Sequence, residues 1–276
     1  MGYGYVGRGI HRLFGKKVKA IYDPKPTDEA VTEARNLGYE GEFEDRKAVS
    51  KCELTVICVP TPSKKDGSCD TSIVEKTVEW VDSPYILIKS TVKPGTTARL
   101  AKKTKKKIAF SPEYLGESRY FTPPWLYPDP REMKMHTFQV FGGEREVTNK
   151  LVDIFSPMMG PHVFYAQTNS TAAELVKYME NSWGAMKVIF CNEWFDICEA
   201  HGQDYREVRE LWALDPRVQK MHTLVFPDKR GFGGKCFPKD VAGIVKATQE
   251  TGYEPDLMKT VMKRNKYFAG LNKEEK

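Results

Sequence analysis

The chain begins Met1-Gly2-Tyr3-Gly4-Tyr5-Val6-Gly7, and this Gly-x-Gly-x-x-Gly pattern decides the fold of the residues around it. In such a turn the helix that follows presents its N-terminus to a pyrophosphate. Residues 6–14 have the spacing of an amphipathic helix, and residues 18–22 form an apolar strand. Asp23 ends that strand, where a carboxylate binds a ribose 2′-hydroxyl and favours NAD over NADP. The predicted cofactor residues are Gly2, Gly4, Tyr5, Val6, Gly7 and Asp23.

One part of this pattern is missing. A dinucleotide-binding sheet has a strand directly ahead of the glycine turn, and that strand is central in the sheet. Here the turn starts at Met1-Gly2. A parallel sheet without its central strand would leave backbone groups without partners in its middle. Either the natural protein starts upstream, or another segment fills the gap.

Further apolar strands alternate with helical stretches up to about residue 165, which predicts a parallel α/β sheet. Residues 54–59 form a continuous apolar run that ends in Pro60 and Thr61. Residues 85–89 lead to Thr91, and residues 107–110 lead to Glu113. Ligands bind at the carboxyl ends of the strands in such sheets, so these residues are candidates for the site.

Two carboxylates follow the strand at 107–110. Glu113 and Glu117 are four residues apart, so they would share one face if this segment were helical. Two like charges in one pocket would raise the pKa of one of them. The alternative is a pair of solvated glutamates.

The sequence pattern changes at Asn169 from alternating strands and helices to a long helical segment. Residues 171–200 have helical periodicity with apolar residues on most faces, which predicts a helix buried against a domain and a partner. Within it, Lys177 and Asn181 share a face, and a lysine on a buried helix suggests function. We therefore predict two domains, residues 1–167 with the cofactor site and residues 168–276 as a helical domain.

A second glycine-rich stretch, Gly231-Phe232-Gly233-Gly234-Lys235-Cys236-Phe237-Pro238-Lys239-Asp240, precedes another predicted helix. Pro238 suits a first helical turn, which places Cys236 at the positive end of a helix dipole. That position favours thiolate over thiol. Lys239 and Asp240 add a cation and a carboxylate to the same pocket. The alternative is a plain helix start with a buried thiol, since cysteine is often a small core residue.

Composition limits the remaining possibilities. The chain has 276 residues, of which 40% are hydrophobic and 29% charged, and its net charge is +6. No apolar run is long enough to span a membrane, and the basic cluster at 102–107 reads as a solvated helix end rather than a nucleic-acid site. Six cysteines without CxxC pairs predict reduced thiols in the cytoplasm. The five histidines are dispersed, which argues against a metal site.

Taken together, the motifs resemble those of the UDP-glucose/GDP-mannose dehydrogenase family over nearly the whole chain. The resemblance rests on the segments 2–7, 59–62, 89–91, 111–115, 173–178, 214–217 and 231–240. It implies an α/β fold, with a Rossmann-type parallel-sheet NAD domain followed by an all-helical central domain. It also implies that two NAD⁺ oxidise the C6 alcohol of a nucleotide sugar to a carboxylate, most simply UDP-glucose to UDP-glucuronate.

The resemblance also assigns roles to residues. Cys236 resembles the nucleophile that traps the aldehyde as a thiohemiacetal and then forms a thioester. Lys177 resembles the lysine that stabilises charge on the C6 oxygen, with Asn181 one turn away, and Asp240 resembles the aspartate that assists proton transfer. Other matching positions are Thr91 and Glu117 at the nicotinamide end and the hydrolytic water, Pro60, Thr61 and Lys239 at the cofactor, and Glu113, Tyr114, Leu115, Phe232 and Gly233 at the sugar.

The resemblance implies a homodimer through the long helix, in which Arg217 contacts the substrate of the neighbouring subunit. Two departures stand out. Family members carry a C-terminal domain that holds the nucleotide base, whereas this chain ends inside what resembles the linking helix. Lys235 also stands where the family has a serine before the cysteine.

Three readings stay open at this point. The chain is a nucleotide-sugar dehydrogenase, or a catalytically inactive remnant that binds NAD or a partner subunit, or a 2-hydroxyacid-type dehydrogenase that performs one hydride transfer and needs no cysteine. The sequence does not separate UDP-glucose from GDP-mannose or a UDP-N-acetyl sugar as substrate.

Overall fold

The structure is a computed structural model, and it describes residues 1–115 and 132–272. The chain divides into two compact units. The first comprises residues 1–62 and 70–177, and the second comprises residues 63–69 and 178–276. The second unit therefore includes a short excursion after Pro62 as well as the carboxyl-terminal part of the chain.

The first unit is built on a five-stranded sheet with the order β1-β2-β3-β4-β5. Its strands are β1 (Leu54–Ile57), β2 (Tyr85–Ile88), β3 (Ile108–Phe110), β4 (Phe138–Gly142) and β5 (Phe164–Thr168). β1, β2 and β3 pair in parallel, and so do β4 and β5.

The prediction of a wholly parallel sheet was wrong at one junction. β4 runs antiparallel to β3, with Phe110 opposite Gly142. A parallel neighbour needs a crossover connection that is usually a helix. The described parts of the β3–β4 connection, residues 111–115 and 132–137, contain only a 3₁₀ turn at Met133–Met135. The described parts of this link therefore contain no α-helix that would return the chain for a parallel neighbour, in agreement with the antiparallel direction of β4.

Helices cover both faces of the sheet. Those of the first unit are α1 (Tyr5–Phe14), α2 (Asp28–Asn36), α3 (Arg46–Ser50), α4 (Ser72–Trp80), α5 (Thr96–Thr104) and α6 (Arg145–Met159). Side chains alternate along β2, so Ile86 and Ile88 pack in one core cluster while Leu87 packs in another. This two-sided burial explains why the strands read as continuous apolar runs.

The predicted strand at residues 18–22 does not form, since the structure assigns no strand there. Its backbone lies across a cleft from β1, and a strand exists only when a neighbour completes its hydrogen bonds. The expected gap in the sheet is therefore a visible feature of the first unit.

The second unit is helical. It contains residues 178–200 of α7 (Ser170–Ala200), then α8 (Tyr205–Trp212), α9 (Phe237–Gln249) and α10 (Asp256–Leu271). Its main core cluster includes Ile189, Phe232, Val241 and Phe268. α7 begins where predicted because the Asn169 Oδ1 accepts a hydrogen bond from the Ala172 N–H at 2.9 Å. In the described part of the chain, no helix has both the length and the apolar character needed to cross a membrane.

Candidate active site

The glycine turn at the start of α1 is sterically fixed. Gly2 has a φ of +75°, and a Cβ there would lie 2.6 Å from the carbonyl oxygen of Cys58. A Cβ at Gly7 would collide with the carbonyl oxygen of Gly2. At Gly4 no atom lies within 4 Å of an added Cβ, so the turn is open on that side. Two of the glycines thus allow close backbone packing, and the third leaves room for a ligand.

The beginning of α1 suits an anion. Gly4 is its N-cap and contributes no side chain that would cap the first N–H groups of the helix. The Asp23 carboxylate accepts hydrogen bonds from the Tyr3 N–H at 2.7 Å and the Lys25 N–H at 3.0 Å. It is therefore held beside the turn, where a ribose hydroxyl would bind. The open turn and the fixed carboxylate fit a dinucleotide such as NAD.

The carboxyl ends of β1 and β2 are tied together. The Ser90 hydroxyl donates to the carbonyl oxygen of Val59 at 2.7 Å. This bond holds the segment after β1, where Pro60 is exposed and Thr61 is buried, next to the segment that contains the half-buried Thr91. The three predicted cofactor residues of these loops therefore lie at one edge of the sheet.

Glu113 is buried and is held from several directions. Its carboxylate lies 3.4 Å from the buried Lys89 ammonium and accepts hydrogen bonds from the Tyr114 and Leu115 N–H groups, both at 2.9 Å. The Lys177 ammonium donates to the carbonyl oxygen of Glu113 at 2.7 Å and lies 6.0 Å from the Tyr114 ring centroid. Four of the predicted residues thus converge in the first unit: Glu113, Tyr114, Leu115 and Lys177.

The expected pairing of Glu113 with Glu117 does not receive support from local structure. Residues 111–115 are not helical, so the condition for a shared helical face is not met over that part. Glu117 itself lies outside the described residues. The partner that the sequence did not predict for Glu113 is Lys89, which is 3% exposed at the end of β2.

In the second unit, Cys236 is exposed and stands at the N-cap position of α9, with Pro238 in the first turn. This is the placement that the sequence predicted. The carbonyl oxygen of Cys236 accepts the first hydrogen bond of the helix from the Asp240 N–H at 2.8 Å. The thiol is therefore presented at the positive end of a 13-residue helix.

Asp240, one turn further along α9, is only 1% exposed and binds two predicted site residues. Its Oδ2 accepts a hydrogen bond from the Asn181 side-chain amide at 2.5 Å, and its Oδ1 lies 2.5 Å from the Lys239 ammonium. Asn181 and Lys239, which were predicted at the substrate and at the cofactor respectively, thus contact the same carboxylate. We call Asn181, Lys239 and Asp240 the carboxylate cluster.

The sequence analysis did not identify Gly184 and His222, which contact the ring of Phe237, the residue after Cys236. A Cβ at Gly184 would lie 2.6 Å from the Phe237 ring, so α7 and the start of α9 are in close contact. His222 packs edge-on against the same ring, with centroids 5.1 Å apart. Burial lowers the pKa of His222 to about 4, assisted by the charge of Lys187. A glycine in mid-helix was the available signal for Gly184, whereas His222 lies in a loop without a pattern.

Glu174 is a second residue whose role the sequence did not show. It is fully buried and accepts hydrogen bonds from the Gly95 N–H at 2.5 Å and the Thr97 N–H at 2.8 Å. It therefore caps the N-terminus of α5 from another helix. Burial raises the pKa of this carboxyl, although these hydrogen bonds oppose the shift.

The remaining predicted substrate residues differ in their surroundings. Phe232 is 8% exposed and packs in the core, and Asn265 binds its backbone N–H at 2.6 Å and its carbonyl at 3.0 Å. Gly233 is exposed with open space around it. The side chain of Arg217 is 88% exposed, and its guanidinium pairs with Asp215. The described contacts of Phe232 are therefore packing contacts, while Gly233 and Arg217 are accessible.

The six cysteine thiols differ in their exposure to solvent. All six cysteines lie in the described residues, and none forms a disulfide. Cys236 is exposed, Cys52 and Cys58 are half-buried, and the other three are buried. Burial raises the pKa of Cys58 to about 11. Among residues 1–115 and 132–272, no group of three metal-ligating side chains lies close enough to hold an ion.

The open glycine turn and the carboxylate held beside it are typical of the class of dinucleotide-binding domains. The match to known families is specific. Residues 8–122 match the NAD binding domain of the UDP-glucose/GDP-mannose dehydrogenase family, and residues 171–267 match its central domain. The chain belongs to the UDP-glucose/GDP-mannose dehydrogenase family.

Individual relatives agree with this assignment. The chain is 30% identical to the UDP-glucose 6-dehydrogenase of Rickettsia prowazekii, over 95% of this chain and 62% of the relative. It is 28% identical to the GDP-mannose 6-dehydrogenase of Azotobacter vinelandii, over 79% of this chain and 52% of the relative. The solved UDP-glucose dehydrogenase of Pyrobaculum islandicum superposes with a TM-score of 0.74 at 28% identity, over 96% of this chain and 67% of that one. The chain spans about 60% of the length of the curated relatives it matches.

Proposed function

We propose that this chain carries the catalytic core of an NAD-dependent UDP-glucose 6-dehydrogenase, which oxidises the C6 alcohol of the sugar to a carboxylate. The observation that carries the proposal is the exposed Cys236 at the N-terminus of α9, one turn from the buried carboxylate of Asp240. A dehydrogenase that performs a single oxidation needs no nucleophile, whereas an alcohol-to-acid oxidation needs one to hold the intermediate aldehyde.

In this proposal Cys236 is the nucleophile. Its thiolate adds to the carbonyl carbon of the aldehyde, and the new oxyanion takes a proton to give a thiohemiacetal. Loss of a hydride from that carbon and of the hydroxyl proton gives a thioester. Water then cleaves the carbon–sulfur bond, which releases the acid and returns the thiol. The helix N-terminus at Cys236 supports the thiolate electrostatically.

The proposed roles of the polar residues follow from their charge. Lys177 is a cation whose ammonium is oriented by the Glu113 carbonyl, and it stabilises negative charge on the C6 oxygen. Asp240 accepts the alcohol proton, and Asn181 and Lys239 hold its carboxylate in place. Glu113, Tyr114, Leu115, Phe232 and Gly233 are proposed to line the sugar site, and Thr91 and Glu117 to serve the nicotinamide end and the hydrolytic water.

The cofactor residues are proposed as Gly2, Gly4, Tyr5, Val6, Gly7, Asp23, Pro60, Thr61, Thr91, Glu117 and Lys239. When bound, NAD⁺ supplies the hydride acceptor for each of the two oxidations. The first N–H groups of α1 bind the pyrophosphate, since no side chain of the N-cap residue covers them. Asp23 orients the adenine-side ribose by accepting from its hydroxyl groups.

The proposed assembly is a homodimer through α7. Large apolar side chains are exposed along this helix at Met179, Trp183, Phe190 and Trp194, and Met179 is 77% exposed. Trp212 of α8 extends the surface, with its ring 6.0 Å from that of Phe190. An apolar surface of this kind marks an interface. Arg217 is proposed to reach the substrate of the second copy, and the six cysteines without disulfides suit a cytoplasmic enzyme.

The test is NADH formation by the folded chain, with UDP-glucose and GDP-mannose assayed in parallel. We expect two NADH for each UDP-glucose and a slower reaction with GDP-mannose. Cys236→Ser should abolish the formation of acid, because serine is a weaker nucleophile and a poorer leaving group. The matched control is Cys52→Ser, which removes a half-buried thiol elsewhere and should leave turnover within about twofold.

Three outcomes would contradict the proposal in different ways. One NADH per sugar with full activity in Cys236→Ser would indicate a single-oxidation dehydrogenase. Faster turnover of GDP-mannose would reassign the substrate. No NADH from a chain that binds NAD and is folded by circular dichroism would indicate a binding protein without catalytic activity.

A further inference from the structure

Residues 230–232 lead into the glycine-rich segment that presents Cys236 in the second unit. We call residues 230–232 the loop base and residues 233–235 the open arm. The loop base is buried at two of its three positions, whereas every residue of the open arm is exposed. Neither part belongs to a helix or a strand, so the buried backbone groups of the loop base need partners from elsewhere in the unit.

Two asparagines of α10 bind the backbone of the loop base as a neighbouring strand would. The Asn265 Oδ1 accepts from the Phe232 N–H at 2.6 Å, and its Nδ2 donates to the Phe232 carbonyl at 3.0 Å. Asn272 makes the same pair of bonds with Arg230, at 2.7 Å to the N–H and 3.0 Å to the carbonyl. An asparagine side chain is an amide, so each of the two supplies the donor and the acceptor of a peptide group.

α7 binds the loop base as well. The Asn192 Oδ1 accepts from the Gly231 N–H at 3.1 Å and from the Arg230 Nε at 2.7 Å. The Arg230 guanidinium also donates to the Asp196 carboxylate at 2.7 Å and lies 4.6 Å from the centroid of the Phe195 ring. Every N–H group of the loop base is therefore bonded to an asparagine side chain of α7 or α10.

The open arm depends on its two ends for a defined position. A Cβ added at Gly233 or Gly234 would meet no atom within 4 Å. Glycine loses more conformational entropy on ordering than any other residue, so these two positions do not hold the arm by themselves. One end of the arm is the loop base, and the other is Cys236 at the N-cap of α9. The asparagines that bind the loop base therefore limit where the arm can lie.

We propose that Asn265 is a positioning residue of the active site, which acts through the loop base on the open arm and on Cys236. Asn272 and Asn192 complete the same support. The inference rests on the proposed function where it concerns turnover, since Cys236 and Gly233 are proposed to contact the sugar. A loop that is held in place before the sugar arrives costs less free energy to order on binding. Asn265 should therefore affect KM more than kcat.

The experiment replaces Asn265 by leucine, which has the same branched shape and no polar group, and by aspartate, which still accepts from the Phe232 N–H. A nitroxide attached to Cys236 reports the motion of the loop by electron paramagnetic resonance, since the other five thiols are half-buried or buried. We expect Asn265→Leu to shorten the rotational correlation time of the nitroxide about twofold or more, and Asn265→Asp to shorten it less. In the unlabelled chain, Asn265→Leu should raise the KM for UDP-glucose about tenfold and leave kcat within about threefold.

The matched control is Tyr205→Phe, which removes another buried bond between a side chain and the backbone of the second unit. The Tyr205 hydroxyl donates to the Thr223 carbonyl at 2.8 Å, outside the loop base and the open arm. Loss of this bond should lower the Tm of the chain, because the Thr223 carbonyl is left without that donor. It should leave the motion of the nitroxide and the KM for UDP-glucose unchanged.

Equal motion of the nitroxide in the wild-type chain and in Asn265→Leu, both with a native circular dichroism spectrum, would overturn the proposal. Equal effects of Asn265→Leu and Tyr205→Phe on the nitroxide would also overturn it, because a general loss of stability would then explain both. If Asn265→Leu does not fold, Asn265→Asp decides the question by the same comparison. A wild-type chain that forms no NADH would contradict the proposed function alone, because the nitroxide measurement needs no turnover.

Discussion

Asp240 is a carboxylate with both oxygens engaged inside the protein. One accepts from the Asn181 amide, and the other pairs with the Lys239 ammonium. A polar group this deeply buried costs free energy unless it is paired, and the two contacts hold the carboxyl group in one orientation. Proton acceptance by such a group depends on the charge and on the geometry together.

Replacing Asp240 by asparagine should separate these two contributions. Asp240→Asn keeps the volume but places an NH₂ group against Asn181 or Lys239, both of which are donors. We expect kcat to fall about 10²-fold or more, and the free energy of unfolding to fall by about 1–3 kcal/mol. Steady-state kinetics and urea unfolding measure the two effects. Asp256→Asn, at the exposed start of α10, is the control and should alter kcat by less than twofold. Unchanged kcat in Asp240→Asn would remove Asp240 from the proposed mechanism.

His222 gives the second unit a pH dependence. Its pKa is lowered to about 4 in the folded chain, chiefly by burial, whereas an unfolded histidine titrates near pH 6.5. Between these values the unfolded state binds more protons, so stability is complete above pH 6.5 and falls as the pH drops towards 4. The loss is at most about 3 kcal/mol, reduced by screening of the partly exposed ring.

His222→Asn should flatten this part of the profile. Asparagine does not titrate, and it tolerates the left-handed conformation of His222, whose φ is +63°. The measurement is urea unfolding of both proteins at pH 4.5, 5.5, 6.5 and 7.5. We expect the two curves to converge at low pH. If the wild-type chain loses no more stability than His222→Asn below pH 6.5, the buried neutral state of His222 is wrong.

At the residue scale the sequence suggested candidate residues but not their contacts. The roles of Cys236, Lys177, Asn181 and Asp240 rest on residue type and on the resemblance to the family, and they stay predictions. The binding of Asn181 to Asp240 joins positions 59 residues apart, and only the packing of α7 against α9 brings them together. Lys239 was assigned to the cofactor, whereas its described partner is Asp240.

Among the elements, the crossing of α7 and the start of α9 is the most tightly constrained near the thiol. An alanine at Gly184 would gain helix propensity but would push into the Phe237 ring. Gly270 in α10 has the same secondary structure and no atom within 4 Å of an added Cβ. The two glycines form a matched pair in which only the crowding differs.

We expect Gly184→Ala to lower the free energy of unfolding by about 1–2 kcal/mol, because overpacking exceeds the gain in propensity. It should also reduce turnover, since Phe237 directly follows Cys236. Gly270→Ala should raise stability by up to about 1 kcal/mol and leave turnover unchanged. Denaturant unfolding and NADH assays test both variants. Equal effects of the two substitutions would mean that Phe237 moves aside without cost.

The predicted helices and strands show which parts of the secondary structure a local sequence pattern can predict. The helices predicted at residues 6–14 and 171–200 are present and begin one residue earlier, because periodicity and caps are local properties, whereas α2, α3 and α5 were not predicted. The stretch at 18–22 has the composition of a strand, yet it lies beside a cleft and forms none. The direction of β4 was also wrong, because it depends on a connection that no local pattern describes. Pairing partners are thus the part of the fold that a single sequence does not specify.

At the scale of the whole molecule, the second unit exposes an apolar surface on α7 and α8. A cavity of about 210 Å³ lies within it, lined by Phe190, Trp194, Val208 and Trp212 among others. Three aromatic rings exposed together would lower solubility in a monomer. A second copy of the chain would cover them.

Trp194→Glu should therefore shift the chain from dimer to monomer. A buried unpaired carboxylate at an interface costs several kcal/mol, so we expect the dissociation constant to rise at least 10²-fold. Sedimentation velocity over a range of concentrations measures this change. Leu257→Glu is the control, since Leu257 is 60% exposed on α10 and does not line the cavity between α7 and α8. A wild-type chain that sediments as a monomer at all concentrations would refute the homodimer.

The uneven exposure of the six thiols has a practical consequence for handling the protein. Oxidants attack thiols that are accessible and ionised, and only Cys236 is exposed. Peroxide should therefore convert this one sulfur to a sulfenic acid while the other five persist, and a stored sample would retain its spectrum and melting curve long after its turnover had gone. A maleimide dye should also react first with Cys236, so a single stoichiometric label counts the molecules in a preparation whose Cys236 is intact.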